Sequence, residues 1–195
     1  MDGYSTRSLL FPGFSSTQTA VNGITVNAVH GGDGPPLLLL HGYPQTHVAW
    51  HRIAPALAER FTVVCPDLRG YGDSGKPSSD ESHEPYSKRV MARDQVELMR
   101  ALGFERFAVA GHDRGARVAR RLALDHPGSV TRLAVLDIIP THAIYGMLDQ
   151  HRAITVWRYF FLVQPADLPE HLIGADAGRY LEWTLAEWCA TPGAL

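Results

Sequence analysis

Gly111-His112-Asp113-Arg114-Gly115 follows a short apolar run and precedes a stretch of helical periodicity. The frame is G-x-D-x-G. Small residues on either side of a strand-to-helix junction allow a tight, strained turn that lifts the central side chain clear of a sheet. Asp113 as the central residue selects the chemistry. A carboxylate is poorly suited to attacking an amide, but it can displace a leaving group from saturated carbon or open an epoxide. Water must then attack the carbonyl of the resulting alkyl ester. A helix N-terminus and nearby backbone N–H groups favour the ionised carboxylate and receive the oxyanion of that second step. The same five residues also fit a plain turn in which Asp113 caps a helix.

Neighbouring segments supply the groups such chemistry needs. His41-Gly42-Tyr43-Pro44 follows an apolar tetrapeptide and fits an oxyanion loop, with the Tyr43 N–H as donor; an ordinary strand-ending turn is the alternative. Asp137 follows the run Leu133 to Leu136, which puts a carboxylate at the C-terminal edge of a sheet. There it could orient a histidine, or merely cap a loop. Arg114 and Arg117 fall in the first turn of the helix after Asp113, where the macrodipole disfavours cations. A substrate carboxylate there would receive charge-assisted bonds; for Arg117 a surface position or an acidic partner is the competing reading. Arg120 and Arg121 suit a solvated helix face.

The elements that must position these groups alternate short β-like runs with longer helical ones, which favours an α/β fold. Residues 15–21 and Ile24–Val29 flank Asn22-Gly23, a pair suited to a type I′ hairpin turn. Leu37-Leu38-Leu39-Leu40, Thr62-Val63-Val64-Cys65, Phe107-Ala108-Val109-Ala110 and Leu133-Ala134-Val135-Leu136 predict buried strands. Helices are predicted over Val48–Arg60, Ser87–Leu102 and Gly115–His126. From Pro140 the β rhythm stops, and Trp157, Tyr159, Phe160, Phe161, Tyr180, Trp183 and Trp188 mark a helical, aromatic-rich unit. The expected division is 1–139 for the core and 140–195 for the helical part.

The 195 residues are 45% hydrophobic and carry a formal charge of -2, so no basic field points to nucleic acid. No apolar run approaches the roughly 20 residues of a membrane span, and the N-terminus has no signal-peptide core. A cytoplasmic location is expected. Cys65 and Cys189 lie far apart without metal-ligand spacing and read as reduced packing residues.

Taken together, HGYPQ, PDLRGYGDSGKP, GHDRGAR and AVLDIIP resemble the haloacetate (fluoroacetate) dehalogenase group of the α/β-hydrolases. The resemblance implies a mostly parallel sheet with an antiparallel N-terminal hairpin, part of a helical cap, and no metal or organic cofactor. It further implies Asp113 as nucleophile, Asp137 as the acid of a triad, and His41, Gly42 and Tyr43 as the oxyanion loop. Arg114 and Arg117 match the group's substrate-carboxylate binders, with Tyr43 beside them. The implied reaction is hydrolysis of a haloacetate to glycolate and halide. An epoxide hydrolase with the same Asp nucleophile and a catalytically silent binding fragment are the alternatives. The implied partner is a small-molecule substrate, a 2-haloacid, rather than nucleic acid or membrane; a homodimer is left open.

Two departures stand out. Trp157-Arg158-Tyr159-Phe160-Phe161 differs from the WHWYF pattern of the fluoroacetate enzymes, with Arg158 and Tyr159 at the two positions that help hold the halide. Arg158 is longer than histidine and permanently charged. Second, none of the ten histidines has the context of a catalytic base. His112 reads as structural, His126 ends a helix, and His142 and His151 enter the cap. The expectation is a chain that forms the N-terminal part of a hydrolase, without the last strands of the sheet and with its catalytic histidine beyond residue 195.

Overall fold

The computed structural model describes residues 10–165 and 167–189. Six strands form one sheet in the order β1-β2-β4-β3-β5-β6. β1 (Ser15–Val21) and β2 (Ile24–Gly31) pair antiparallel through the Asn22-Gly23 turn, whose φ angles of 43° and 77° are both left-handed. β2 runs antiparallel to β4 (Thr62–Pro66). From β4 through β3 (Pro36–Leu40) and β5 (Phe107–His112) to β6 (Val130–Leu136), all pairings are parallel. The sheet is therefore mixed, as the sequence implied.

The continuous apolar runs are explained by cover on both faces. Leu38, Leu40 and Val64 pack with Met91, Val96 and Met99 of α2 (Lys88–Ala101) and with Val118 and Leu122 of α3 (Arg114–Asp125). Leu39, Val63 and Cys65 point the other way, onto Phe11, Trp50 and Ala54 at the start of α1 (Ala54–Ala58). Period-two alternation thus persists inside a run that is apolar throughout. Cys65 is buried, and burial pushes its thiol pKa far up, whereas Cys189 is only partly covered.

Local signals set the helix ends. Ser87 caps α2 by accepting the Val90 N–H at 3.2 Å, and Gly103 follows the helix with φ 89°. α3 stops at Asp125, directly before His126-Pro127. The single helix expected over 48–60 is instead a 3-10 turn, His47–Trp50, followed by α1. Pro55 is the reason: it has no N–H for the His51 carbonyl and fits the first turn of a new helix. A second correction concerns Leu133 to Leu136, expected as buried. β6 lies at the end of the sheet order, and Leu133, Val135 and Leu136 are 41%, 47% and 42% exposed.

The chain divides into two units, Met1–Ile138 and Ile139–Leu195. Within the second, the described residues form α4 (Thr141–Gly146), α5 (Gln150–Thr155), α6 (Trp157–Phe161), α7 (Leu168–Ala175) and α8 (Ala177–Trp188). No helix among the described residues is long and apolar enough to cross a membrane.

Buried polar networks fix the loops of the first unit. Arg69 donates through Nε and Nη2 to both oxygens of Asp94 on α2 at 2.8 and 2.7 Å, and through Nη2 to the Asn22 carbonyl at 3.0 Å. That cluster ties the hairpin turn and the loop after β4 to α2. His41, at the end of β3, is fully buried; its Nδ1–H donates to the Gly42 carbonyl at 2.9 Å while Nε2 accepts the Leu68 N–H at 3.0 Å. Burial keeps it neutral, with a pKa near 4.

Two stability predictions follow from these groups. Asp94→Leu should cost about 3–5 kcal/mol in urea unfolding, because it strands a buried guanidinium, and Arg69→Met added to it should recover part of the loss. An additive double variant would show that the pair does not act as a unit. His41 has a folded pKa of about 4 against 6.5 for the free side chain, so protons bind the unfolded chain first. Its contribution is complete above pH 6.5 and is lost as pH falls towards 4, by up to roughly 3 kcal/mol. A His41→Gln variant should show a correspondingly flatter acid limb than the unaltered chain, as measured by urea unfolding across that range.

Candidate active site

The turn between β5 and α3 holds Asp113 at φ 48°, ψ -115°, a region that costs a non-glycine residue on the order of 1–3 kcal/mol. Small neighbours make the turn feasible. A Cβ on Gly111 would strike the Gly115 carbonyl and the Ala116 amide, and one on Gly115 would strike the carbonyls of Leu40 and His41. Asp113 occupies the N-cap position of α3 but its side chain makes no capping bond. Its Oδ1 accepts the Tyr43 N–H at 3.0 Å instead. The elbow therefore presents a carboxylate whose two oxygens differ, with Oδ1 committed to the loop after β3.

That loop is held close by a second glycine requirement. A Cβ at Gly42 would lie 2.6 Å from the Asp113 Cβ and 3.1 Å from His112 Nδ1. The Gln45 N–H closes the turn on the Gly42 carbonyl at 3.0 Å, and its Oε1 lies 3.2 Å from His112 Nδ1. Deeper down, the buried Asp67 carboxylate accepts the His47 N–H and His47 Nδ1–H, both at 2.8 Å, the Asn27 amide at 2.9 Å and the Asp73 N–H at 3.0 Å. Burial alone would raise its pKa, but the bonds from His47 and Asn27 outweigh it and hold the carboxyl below its usual range. This network joins the loop after β3 to the loop after β4.

Two arginines follow Asp113 on the helix side. The Arg114 guanidinium stacks 4.6 Å from the Tyr43 ring centroid and its Nη1 reaches the Tyr71 hydroxyl at 3.4 Å. Burial raises the Tyr71 phenol pKa, so it meets Arg114 as a neutral hydroxyl. Arg117 is half-buried one turn further along α3. Asp137 directly follows β6 at φ 48°, its side chain 92% exposed, with Oδ2 3.8 Å from His112 Nε2. That distance is too long for a hydrogen bond. The first unit thus brings together Asp113, Tyr43, Gly42, Arg114 and Arg117, with His41 beneath as a neutral loop anchor.

In the second unit, Arg158 is buried in an aromatic box. Its guanidinium lies 4.8, 4.8 and 4.7 Å from the rings of Trp157, Trp183 and Trp188, and Nη2 donates to Glu187 at 2.5 Å. Tyr159 is half-buried on the same helix, α6. Residues that sequence reasoning missed include Gln45, Tyr71 and Asp67. The first lies in HGYPQ and the other two in PDLRGYGDSGKP, yet nothing in their spacing marks which side chains turn inward. Among the described residues, no group of three or more His, Cys, Asp or Glu side chains is placed to hold a metal ion.

Comparison with known proteins places this geometry. The chain is 54% identical over 182 residues to a fluoroacetate dehalogenase from Burkholderia sp, covering 93% of this chain and 60% of that protein. It is 47% identical to a soluble epoxide hydrolase from Corynebacterium sp., covering 84% of this chain and 56% of the relative. A solved structure from Nostoc sp, assigned to the α/β hydrolases, superposes with a TM-score of 0.91 at 57% identity, covering 93% of this chain and 62% of the other. The chain therefore spans about 60% of the length of these relatives. The sequence model of the α/β hydrolase fold matches residues 35–193, and with an Asp-bearing elbow beside the loop after β3 on a mixed sheet, the chain belongs to that family of hydrolases.

Proposed function

We propose that this hydrolase dehalogenates small 2-haloacids through an aspartyl ester at Asp113. The observation that carries the reading is the orientation of its carboxylate: Oδ1 on the Tyr43 N–H, Oδ2 left to attack, and Arg114 and Arg117 close behind. Oδ2 would form a bond to the halogen-bearing carbon as the carbon–halogen bond breaks and its electron pair leaves with the halide. Water then adds to the ester carbonyl, and the negative charge develops on Oδ1, where Tyr43 already donates. Collapse expels glycolate and restores Asp113 with one oxygen from water.

The other roles belong to the same reading. Arg114 and Arg117 hold the substrate carboxylate and offset its repulsion from Asp113. Asp137 is the acid that would orient and charge-stabilise a histidine base, which takes the proton of the attacking water. His41 is unsuited to that task because both ring nitrogens are engaged in loop contacts. Arg158, a halide donor by resemblance, carries a charge already met by Glu187 within its own unit. The relatives support the lineage: one is a fluoroacetate dehalogenase, another a soluble epoxide hydrolase. Epoxide opening by the same Asp113 is the second reading. The paired arginines favour an acid over a neutral epoxide.

In a protein that also carries the histidine base, single turnover of chloroacetate in oxygen-18 water should place label in the Asp113 carboxylate, read by peptide mass spectrometry, and Asp113→Asn should abolish turnover. Label confined to glycolate would overturn the ester mechanism. Arg117→Leu should lower kcat/KM for chloroacetate by roughly tenfold to a hundredfold while changing epoxide use little, since only the acid loses a charged partner. Equal losses on both substrates would instead mean damaged packing.

A further inference from the structure

Gly42-Tyr43-Pro44-Gln45 forms a turn closed by the Gln45 N–H on the Gly42 carbonyl at 3.0 Å, and this turn meets two consecutive residues of the elbow. The Tyr43 N–H donates to Asp113 Oδ1 at 3.0 Å, and the Gln45 side chain reaches back to His112, with Oε1 3.2 Å from Nδ1. Between the two bonds lies the Gly42 contact, where even a Cβ would fall 3.1 Å from His112 Nδ1. His112 is a fixed post. It ends β5 opposite Leu136 of β6, and the N–H of the next residue, Asp113, donates to the Leu136 carbonyl at 3.2 Å. The flanks of the turn are anchored in the core, His41 on the Leu68 N–H and His47 on the Asp67 carboxylate, and the bonds to the elbow bring the turn between them onto Asp113.

We propose that Gln45 and His112 are a pair of positioning residues for the second chemical step at Asp113: the imidazole Nδ1–H donates to the Gln45 side-chain oxygen and thereby holds the Tyr43 N–H on Asp113 Oδ1. The assignment rests on the functional reading above and deepens it by naming what keeps the donor in place. Its consequence differs between the two steps. During displacement Asp113 gives up its charge, and Oδ1 becomes the carbonyl oxygen of the ester. When a nucleophile then adds to that carbonyl, the negative charge returns to Oδ1, and a donor already aimed there stabilises it. A turn that drifts from the elbow therefore costs ester cleavage more than ester formation. General damage to the fold has no such preference. The imidazole also makes the bond specific to one atom, because only a donor at the Nδ1 position faces Gln45, whereas Nε2 lies on the side of Asp137, 3.8 Å from its Oδ2.

The test has two readouts on the full chain. The first is hydrogen exchange of the Tyr43 amide by NMR, referred to the amides of β3, which a general loss of stability would move as well. Gln45→Leu and His112→Leu should each speed Tyr43 exchange by roughly twofold to tenfold against that reference, and the double variant should go little further than either. His112→Asn sets an amide N–H near the Nδ1 position and should keep the slow exchange, whereas His112→Gln, with its N–H at the Nε2 position, should behave like His112→Leu. The Asn and Gln variants carry the test should a Leu variant fail to fold. The second readout forms the ester with chloroacetate and cleaves it with hydroxylamine, whose nitrogen adds to the Asp113 carbonyl; the ester C–O bond breaks, a proton passes from nitrogen to the departing glycolate oxygen, and Asp113 is left as a hydroxamate. Followed by intact mass and peptide mapping, Gln45→Leu should slow cleavage by roughly threefold to thirtyfold more than it slows alkylation. Equal slowing of both steps, Tyr43 exchange indifferent to the Leu variants, or failure of His112→Asn to restore slow exchange overturns the pair while a labelled Asp113 keeps the nucleophile. An unlabelled Asp113 with Tyr43 exchange that follows Gln45 and His112 overturns the ester reading and keeps the hold of the pair on the Tyr43 amide.

Discussion

The backbone at Asp113 is the constraint to which the rest of the site answers. A left-handed φ at a residue with a side chain is unfavourable, and it persists only where the surroundings over-determine it. Here they do so from three directions. Gly111 and Gly115 let strand and helix backbones approach more closely than any Cβ would permit, and Gly42 lets the loop after β3 settle on the Asp113 side chain. The Tyr43 N–H then fixes one carboxylate oxygen. Remove the close approach and the loop has no reason to meet the carboxylate.

Support for that loop comes from below the surface. His41 and Asp67 are both fully buried, and they solve burial in opposite ways. The histidine stays neutral and trades both nitrogens for backbone partners, while the carboxylate stays ionised by collecting donors from four directions. Each bridges the ends of β3 and β4, so the loops at this edge are positioned by polar bonds made inside the apolar core. Such networks fix one geometry because any partial arrangement leaves a buried group unsatisfied.

Much of this was legible in the sequence, for physical reasons that can be named. Asn22-Gly23 announced the hairpin because few other pairs accept two left-handed residues, and G-x-D-x-G announced the elbow because its geometry excludes side chains. The runs of leucine and valine marked strands covered on two faces. What stayed hidden depended on position rather than type. Leu133 to Leu136 carry the same apolar composition as β3, yet among the described residues nothing covers them as the helices cover β3. The break before α1 is written at Pro55, although the apolar periodicity of 48–60 runs across it. Arg158 could be read as a donor to a halide or as a solvated cation, whereas the structure seats it among three indoles that lie up to 30 positions away in the chain.

The hydrogen bond from Tyr43 to Oδ1 also has a stereochemical meaning. In the proposed reaction the other oxygen is the one left to attack, and in-line displacement by it inverts the carbon as the halide leaves from the opposite side. Water adding afterwards to the aspartyl carbonyl never touches that carbon. For a chiral 2-haloacid, the proposed ester route would therefore decide the handedness of the released hydroxy acid entirely in the first step, opposite to that of the substrate, while the Tyr43 amide serves the second step, which leaves that handedness untouched.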